Sequence, residues 1–79
     1  MAPTVLREGG FRLFFFSREE ARMHVHVHHS GGEAKFWLEP SIALAQNYGL
    51  SDKQLGEAER IIRSYEQSIR QAWEKHFGT

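Results

Sequence analysis

Apolar and polar residues alternate with two different periods along this chain, and the change falls near Pro40. Before it the period is two, the repeat of strands whose successive side chains point to opposite faces. Thr4–Glu8 and Phe11–Ser17 are two such stretches, separated by Gly9 and Gly10 alone. Two glycines that can both take positive φ predict a tight hairpin. Its register sets Glu8 opposite Phe11, Arg7 opposite Arg12 and Val5 opposite Phe14. One face then carries Thr4, Leu6, Phe11, Leu13 and Phe15; the other carries Val5, Arg7, Arg12, Phe14 and Phe16. Because Phe14-Phe15-Phe16 is apolar on both sides, this strand is expected to be central and covered on both faces at its far end.

A charged loop, Ser17–Arg22, leads to a second alternating pair. In Met23–His28, Val25 and Val27 point one way and His24, His26 and His28 the other; in Glu33–Leu38, Ala34, Phe36 and Leu38 oppose Glu33, Lys35 and Trp37. A register slip of one residue would turn a whole apolar set outward. The apolar pattern therefore selects an even loop, of two or four residues, through Ser30-Gly31-Gly32. The histidines, Glu33, Lys35 and Trp37 then share one face of a β-ribbon.

Pro40 ends the predicted sheet. Ser41–Tyr48 is expected as a short helix stopped by Gly49. Ser51-Asp52-Lys53-Gln54 matches a capping box and opens a second helix. Leu55, Ala58, Ile62, Tyr65, Ile69 and Ala72 form its apolar stripe, and Glu59–Arg63 and Glu66–Arg70 are supporting i,i+4 pairs. A straight helix over Asp52–Phe77 would be about 39 Å long. That length should overrun so small a sheet, which makes Ile69, Trp73 and Phe77 candidates for contact with another chain. The expected fold is one α+β domain over residues 1–79: a four-stranded antiparallel meander (4–38) followed by a short helix (41–48) and a long one (52–77).

Composition narrows the chemistry. The 79 residues are 41% hydrophobic and 25% charged, as in an ordinary globular domain. Ten Lys and Arg balance ten Asp and Glu, which argues against a protein held on nucleic acid or lipid by bulk charge. The absence of cysteine excludes a disulfide framework, a cysteine-ligated zinc finger and a thiol nucleophile. No apolar run approaches the roughly 18 residues of a membrane span, and the N-terminus lacks a signal-peptide pattern, so the expected location is the cytoplasm with no membrane partner. A chain of this size buries only about 60% of its unfolded surface and needs dense packing, a metal or a partner chain, a second copy included.

Pro3-Thr4-Val5-Leu6-Arg7-Glu8-Gly9-Gly10-Phe11-Arg12, Phe14-Phe15-Phe16-Ser17, His24-Val25-His26-Val27 and Gly31-Gly32-Glu33-Ala34-Lys35-Phe36-Trp37-Leu38-Glu39-Pro40 together resemble a small bacterial family, domain of unknown function 4160. The likeness covers nearly the whole chain. Where that family usually has a Pro-rich stretch before the His-x-His strand, this chain has Glu19-Glu20-Ala21-Arg22-Met23. Members are commonly encoded beside a second small protein, and such pairs are described as type II toxin–antitoxin systems. The resemblance thus implies a toxin-type protein neutralised by a small cognate antitoxin-like partner. It supplies no catalytic residues.

The residues themselves suggest three kinds of chemistry. Metal-independent RNA cleavage needs a base for the 2′-hydroxyl, an acid for the leaving oxygen and cations for the phosphorane. His24 and His26 can be base and acid, and Lys35 can stabilise the developing charge, with no cofactor. Arg7 and Arg12 can hold RNA, and Trp37 can stack on an unpaired base. Alternatively, the histidine strand binds a metal with Glu33 or His29 as third ligand. The plain alternative is a half-buried edge strand with solvated histidines beside Glu33 and Lys35, in a non-enzymatic module that binds protein through its long helix or sheet face. The opposition of Arg7 and Arg12 calls either for a carboxylate (Glu8, Glu19 or Glu39) or for an anionic partner.

Overall fold

In the computed structural model, which describes residues 4–16 and 22–78, the chain runs up and down through five antiparallel strands into two helices. The expected loop Ser17–Arg22 lies outside the described residues except for Arg22. β1 (Thr4–Glu8) turns through Gly9 and Gly10, at φ 57° and 84°, into β2 (Phe11–Phe14). β3 (His24–His29) turns through Ser30 and Gly31, at φ 47° and 84°, into β4 (Gly32–Trp37). Positive φ at both positions of a two-residue loop gives a turn whose twist matches that of the strands it joins. The even loop required by the apolar pattern is present: Val25 faces Phe36 and Val27 faces Ala34.

The first hairpin keeps the expected Glu8–Phe11 and Arg7–Arg12 pairs, but its far end differs. A bulge between Thr4 and Leu6 sets Thr4, not Val5, opposite Phe14. The extra residue carries Thr4 to the face of Arg12, whose Nε donates to Thr4 Oγ1 at 2.8 Å.

Two helical expectations are corrected. Residues 43–48 form a strand, β5 (Ala43–Tyr48), antiparallel to β4, so the sheet has five strands and the short helix does not exist. Helix propensity is a weak prior. Ladder bonds to the backbone of β4, which would otherwise be a sheet edge, outweigh it here. The long helix is broken at Tyr65 (φ −112°, ψ 21°) into α1 (Asp52–Ser64) and α2 (Glu66–Phe77). The longest dimension of the Cα trace is 33 Å, so an unbroken rod of about 39 Å would project beyond it. With the break, both halves lie on the sheet.

The core forms on one side. Phe11, Leu13, Phe15, Val25, Val27, Ala34, Phe36 and Leu38 pack with Ala58, Ile61, Ile62, Ile69 and Trp73. The proposed helix-borne interface is therefore internal: Ile69 and Trp73 are 0% and 4% exposed, and Phe77 packs against the same cluster. The capping box opens α1, with Ser51 Oγ accepting from Gln54 N at 3.1 Å and Gln54 Oε1 accepting from Ser51 N at 2.9 Å. Arg70 ties α2 to the sheet by donating to the Leu38 carbonyl, and Glu66 within the same helix accepts from its Nε.

Candidate functional site

The face opposite the helices is organised in rows across the strands. Arg7, Arg12, His28, Glu33 and Tyr48 stand directly opposite one another in succession on β1, β2, β3, β4 and β5. Thr4, Phe14, His26, Lys35 and Gln46 form the next row. His24 pairs with Trp37, and Trp37 with Ala43. The strand parity expected of the imidazoles, Lys35 and Trp37 is thus present, and β3 is the central strand rather than an edge.

Sharing a face does not give these groups equal access. His24 is 0% exposed. Its Nδ1 lies 2.7 Å from the carbonyl of Arg22, which can only accept, so Nδ1 carries the proton. Its ring packs edge-on against Trp37 and also meets Trp73, at 5.6 and 5.2 Å between centroids. His26, 8% exposed, stacks on Phe14 and meets the edge of Phe16. Phe14 and Phe16 thus cover His26 while Trp37 and Trp73 close over His24, the two imidazoles expected to act as acid and base, and a substrate has no path to His24 in this arrangement.

Trp37 is also engaged. The Arg22 guanidinium lies 4.0 Å and the Lys35 ammonium 4.5 Å from its ring centroid. A base reaches that ring only by displacing a cation or by stacking on the guanidinium. Arg12 lies over Phe14 in the same manner, at 4.5 Å. The exposed rings near this face are Phe16 and Tyr48. Tyr48 reaches this face only because residues 43–48 form a strand, a placement their local helix propensity does not signal.

Solvent reaches the other row. Arg7 and His28 are exposed, and Arg12 and Glu33 are half-buried. A guanidinium, an imidazole and a carboxylate therefore stand on three adjacent strands. The signal for His28 lay in the chain: of the three alternating histidines it is farthest from the Phe14–Phe16 run, and so the one that run cannot cover. The balanced total charge conceals an asymmetry. In the helices Asp52, Glu57, Glu59, Glu66 and Glu74 offset Lys53, Arg60, Arg63, Arg70 and Lys75, whereas the described strands put Arg7, Arg12 and Lys35 on the open face against Glu33. Among the described residues no three His, Asp or Glu side chains are grouped to hold a metal, and no helix is long and apolar enough to cross a membrane.

Comparison with curated proteins and with solved structures finds no match. The family described as Domain of unknown function (DUF4160) matches residues 10–74, from the first turn through most of α2. With the greater part of the chain inside that match, this protein belongs to the DUF4160 family.

Proposed function

We propose that this protein is the toxin-type component of a bacterial type II toxin–antitoxin module and that it cleaves single-stranded RNA on the open face of its sheet. The observation that carries the chemical part is the row Arg7–Arg12–His28–Glu33. Two guanidinium groups in direct opposition repel one another and favour an anion between them. The adjoining carboxylate and imidazole are the two proton-transfer groups that internal transesterification of RNA requires. Glu33 takes the proton of the 2′-hydroxyl, the oxygen attacks phosphorus, and His28 protonates the departing 5′-oxygen. A 2′,3′-cyclic phosphate and a 5′-hydroxyl result. Arg12 and Arg7 stabilise the charge on the phosphorane. Phe16 and Tyr48 offer rings for unpaired bases. Lys35, opposite His26 in the next row, adds a cation to the same face.

Purified protein incubated with total RNA in the presence of chelator tests this reading. Cleavage leaving cyclic phosphate ends is expected, with Glu33→Gln and His28→Ala each reduced about 10²–10⁴-fold. Arg7→Ala and Arg12→Ala should weaken RNA binding with little effect on folding. Intact RNA after treatment with the wild type across pH 5–8 would end the nuclease proposal. The module is tested separately, by growth on induction with and without the neighbouring gene; growth unaffected in both cases removes the toxin reading.

The second reading, a non-enzymatic protein-binding module, gains support from a different feature. The helix stripe is used internally, but β5 is an exposed and uncharged sheet edge.

A further inference from the structure

The two edges of the sheet differ. β1 carries Arg7 and Glu8, and charged side chains are the usual protection against edge-to-edge pairing. β5 reads Ala43-Leu44-Ala45-Gln46-Asn47-Tyr48, with no charge, and every residue except Ala45 is exposed. Leu44 and Tyr48 are 46% and 64% exposed. The strand is nonetheless firmly placed. Its inner edge pairs with β4, and Asn47 both donates to the Leu50 carbonyl and accepts from its N–H, each at 3.0 Å.

We propose that the occupant of this edge is a second copy of the same chain, paired antiparallel through β5 about a two-fold axis perpendicular to the sheet. Such an axis keeps each face on its own side, and directly opposed residues must project from the same face. In an uninterrupted six-residue strand the two end residues point to opposite faces, so that segment cannot pair end to end with its own copy. The irregularity between Leu44 and Gln46 removes this mismatch. Ala43 and Tyr48 both project from the open face, opposite Trp37 and Glu33 of β4. Leu44 and Asn47 both belong to the core-facing side, opposite Phe36 and Ala34. The strand therefore matches itself on both sides of the irregularity, with Ala43 against Tyr48 and Leu44 against Asn47 of the second copy. Each Tyr48 then lies beside a small alanine.

Charge supports the same occupant. A two-fold brings a strand against its own sequence, so any charge near the axis meets its like; β5 has none to oppose. The two five-stranded sheets become one, and both open faces lie on the same side.

The chain contains no cysteine, so engineered thiols report the register without interference. Opposed residues in an antiparallel pair have Cα atoms about 4.5–5.5 Å apart, within disulfide range. An equimolar mixture of Ala43→Cys and Tyr48→Cys proteins should form a covalent dimer under mild oxidation. Each variant alone should not, because Ala43 and Tyr48 lie opposite Trp37 and Glu33, which sets identical residues about 14 Å apart at 3.4 Å per residue. Both positions are exposed, and circular dichroism checks that the variants remain folded. Sedimentation equilibrium of the wild type should show a monomer–dimer equilibrium that Leu44→Lys shifts toward monomer. A wild type that stays monomeric at all concentrations, as it would if the edge served a different protein's strand, overturns the proposal. So does crosslinking of either single variant as efficient as that of the mixture.

Discussion

Trp73→Ala is expected to remove about 3–5 kcal/mol of folding stability, the cost of truncating a buried tryptophan. Trp73 is 4% exposed, with ring centroids 4.2 Å from Phe77 and 5.3 Å from Phe15. It also touches His24, so it joins α2, the end of β2 and the start of β3. A domain of 79 residues has about 4–12 kcal/mol of stability in all, at roughly 0.05–0.15 kcal/mol per residue. Truncation therefore removes a large share of it. At about 4–8 °C per kcal/mol the melting temperature should fall by at least ~12 °C. Thermal denaturation followed by circular dichroism checks this. A variant that melted like the wild type would return Trp73 to the role of a partner contact.

Gly32→Ala should cost about 2–3 kcal/mol, through overpacking rather than lost contact. Gly32 starts β4, where the turn after β5 crosses it. A Cβ there would lie 2.9 Å from both C and O of Gly49 and 2.8 Å from Leu50 Cδ2. The leucine tip can move. The Gly49 backbone, at φ 94°, is held by the flanking Asn47–Leu50 hydrogen-bond pair and cannot yield without shifting β5. Gly56 in α1 provides a control of opposite sign. A Cβ there meets nothing within 4 Å, so alanine should stabilise the helix by about 1 kcal/mol. Urea denaturation of both variants gives the comparison.

The parts of the fold legible in the sequence were those fixed by period and turn chemistry. Strand alternation gave β1 to β4, the Gly9-Gly10 pair gave the first turn, and the separation of Val25/Val27 from the histidines required the even loop that Ser30-Gly31 supplies. β5 was not legible, because Ala43, Leu44, Ala45 and Gln46 favour helix locally and only the neighbouring backbone of β4 makes them a strand. The break at Tyr65 was hidden for a related reason. No Gly or Pro marks it, and the apolar stripe runs through it in helical phase, from Ala58 and Ile62 to Ile69 and Trp73, so the pattern reads as one helix.

For the site, parity came from the sequence and accessibility did not. That His24, His26 and His28 share a face follows from period two. That His24 is sealed, His26 nearly so and His28 open depends on where Phe14, Phe16, Trp37 and Trp73 come to rest. The bulge after Thr4 likewise decides that Arg12 has a hydroxyl partner on β1.

Every strand of this sheet adjoins the strand next to it in the chain. The meander therefore assembles by closing short loops in succession, and none of its strands waits for a distant partner, an arrangement associated with rapid folding. The helices that cover Val25, Val27 and Phe36 are synthesised after all five strands. A nascent chain thus presents a nearly complete sheet with one greasy side uncovered until α1 and α2 leave the ribosome, and that interval is when it most needs shielding from its neighbours.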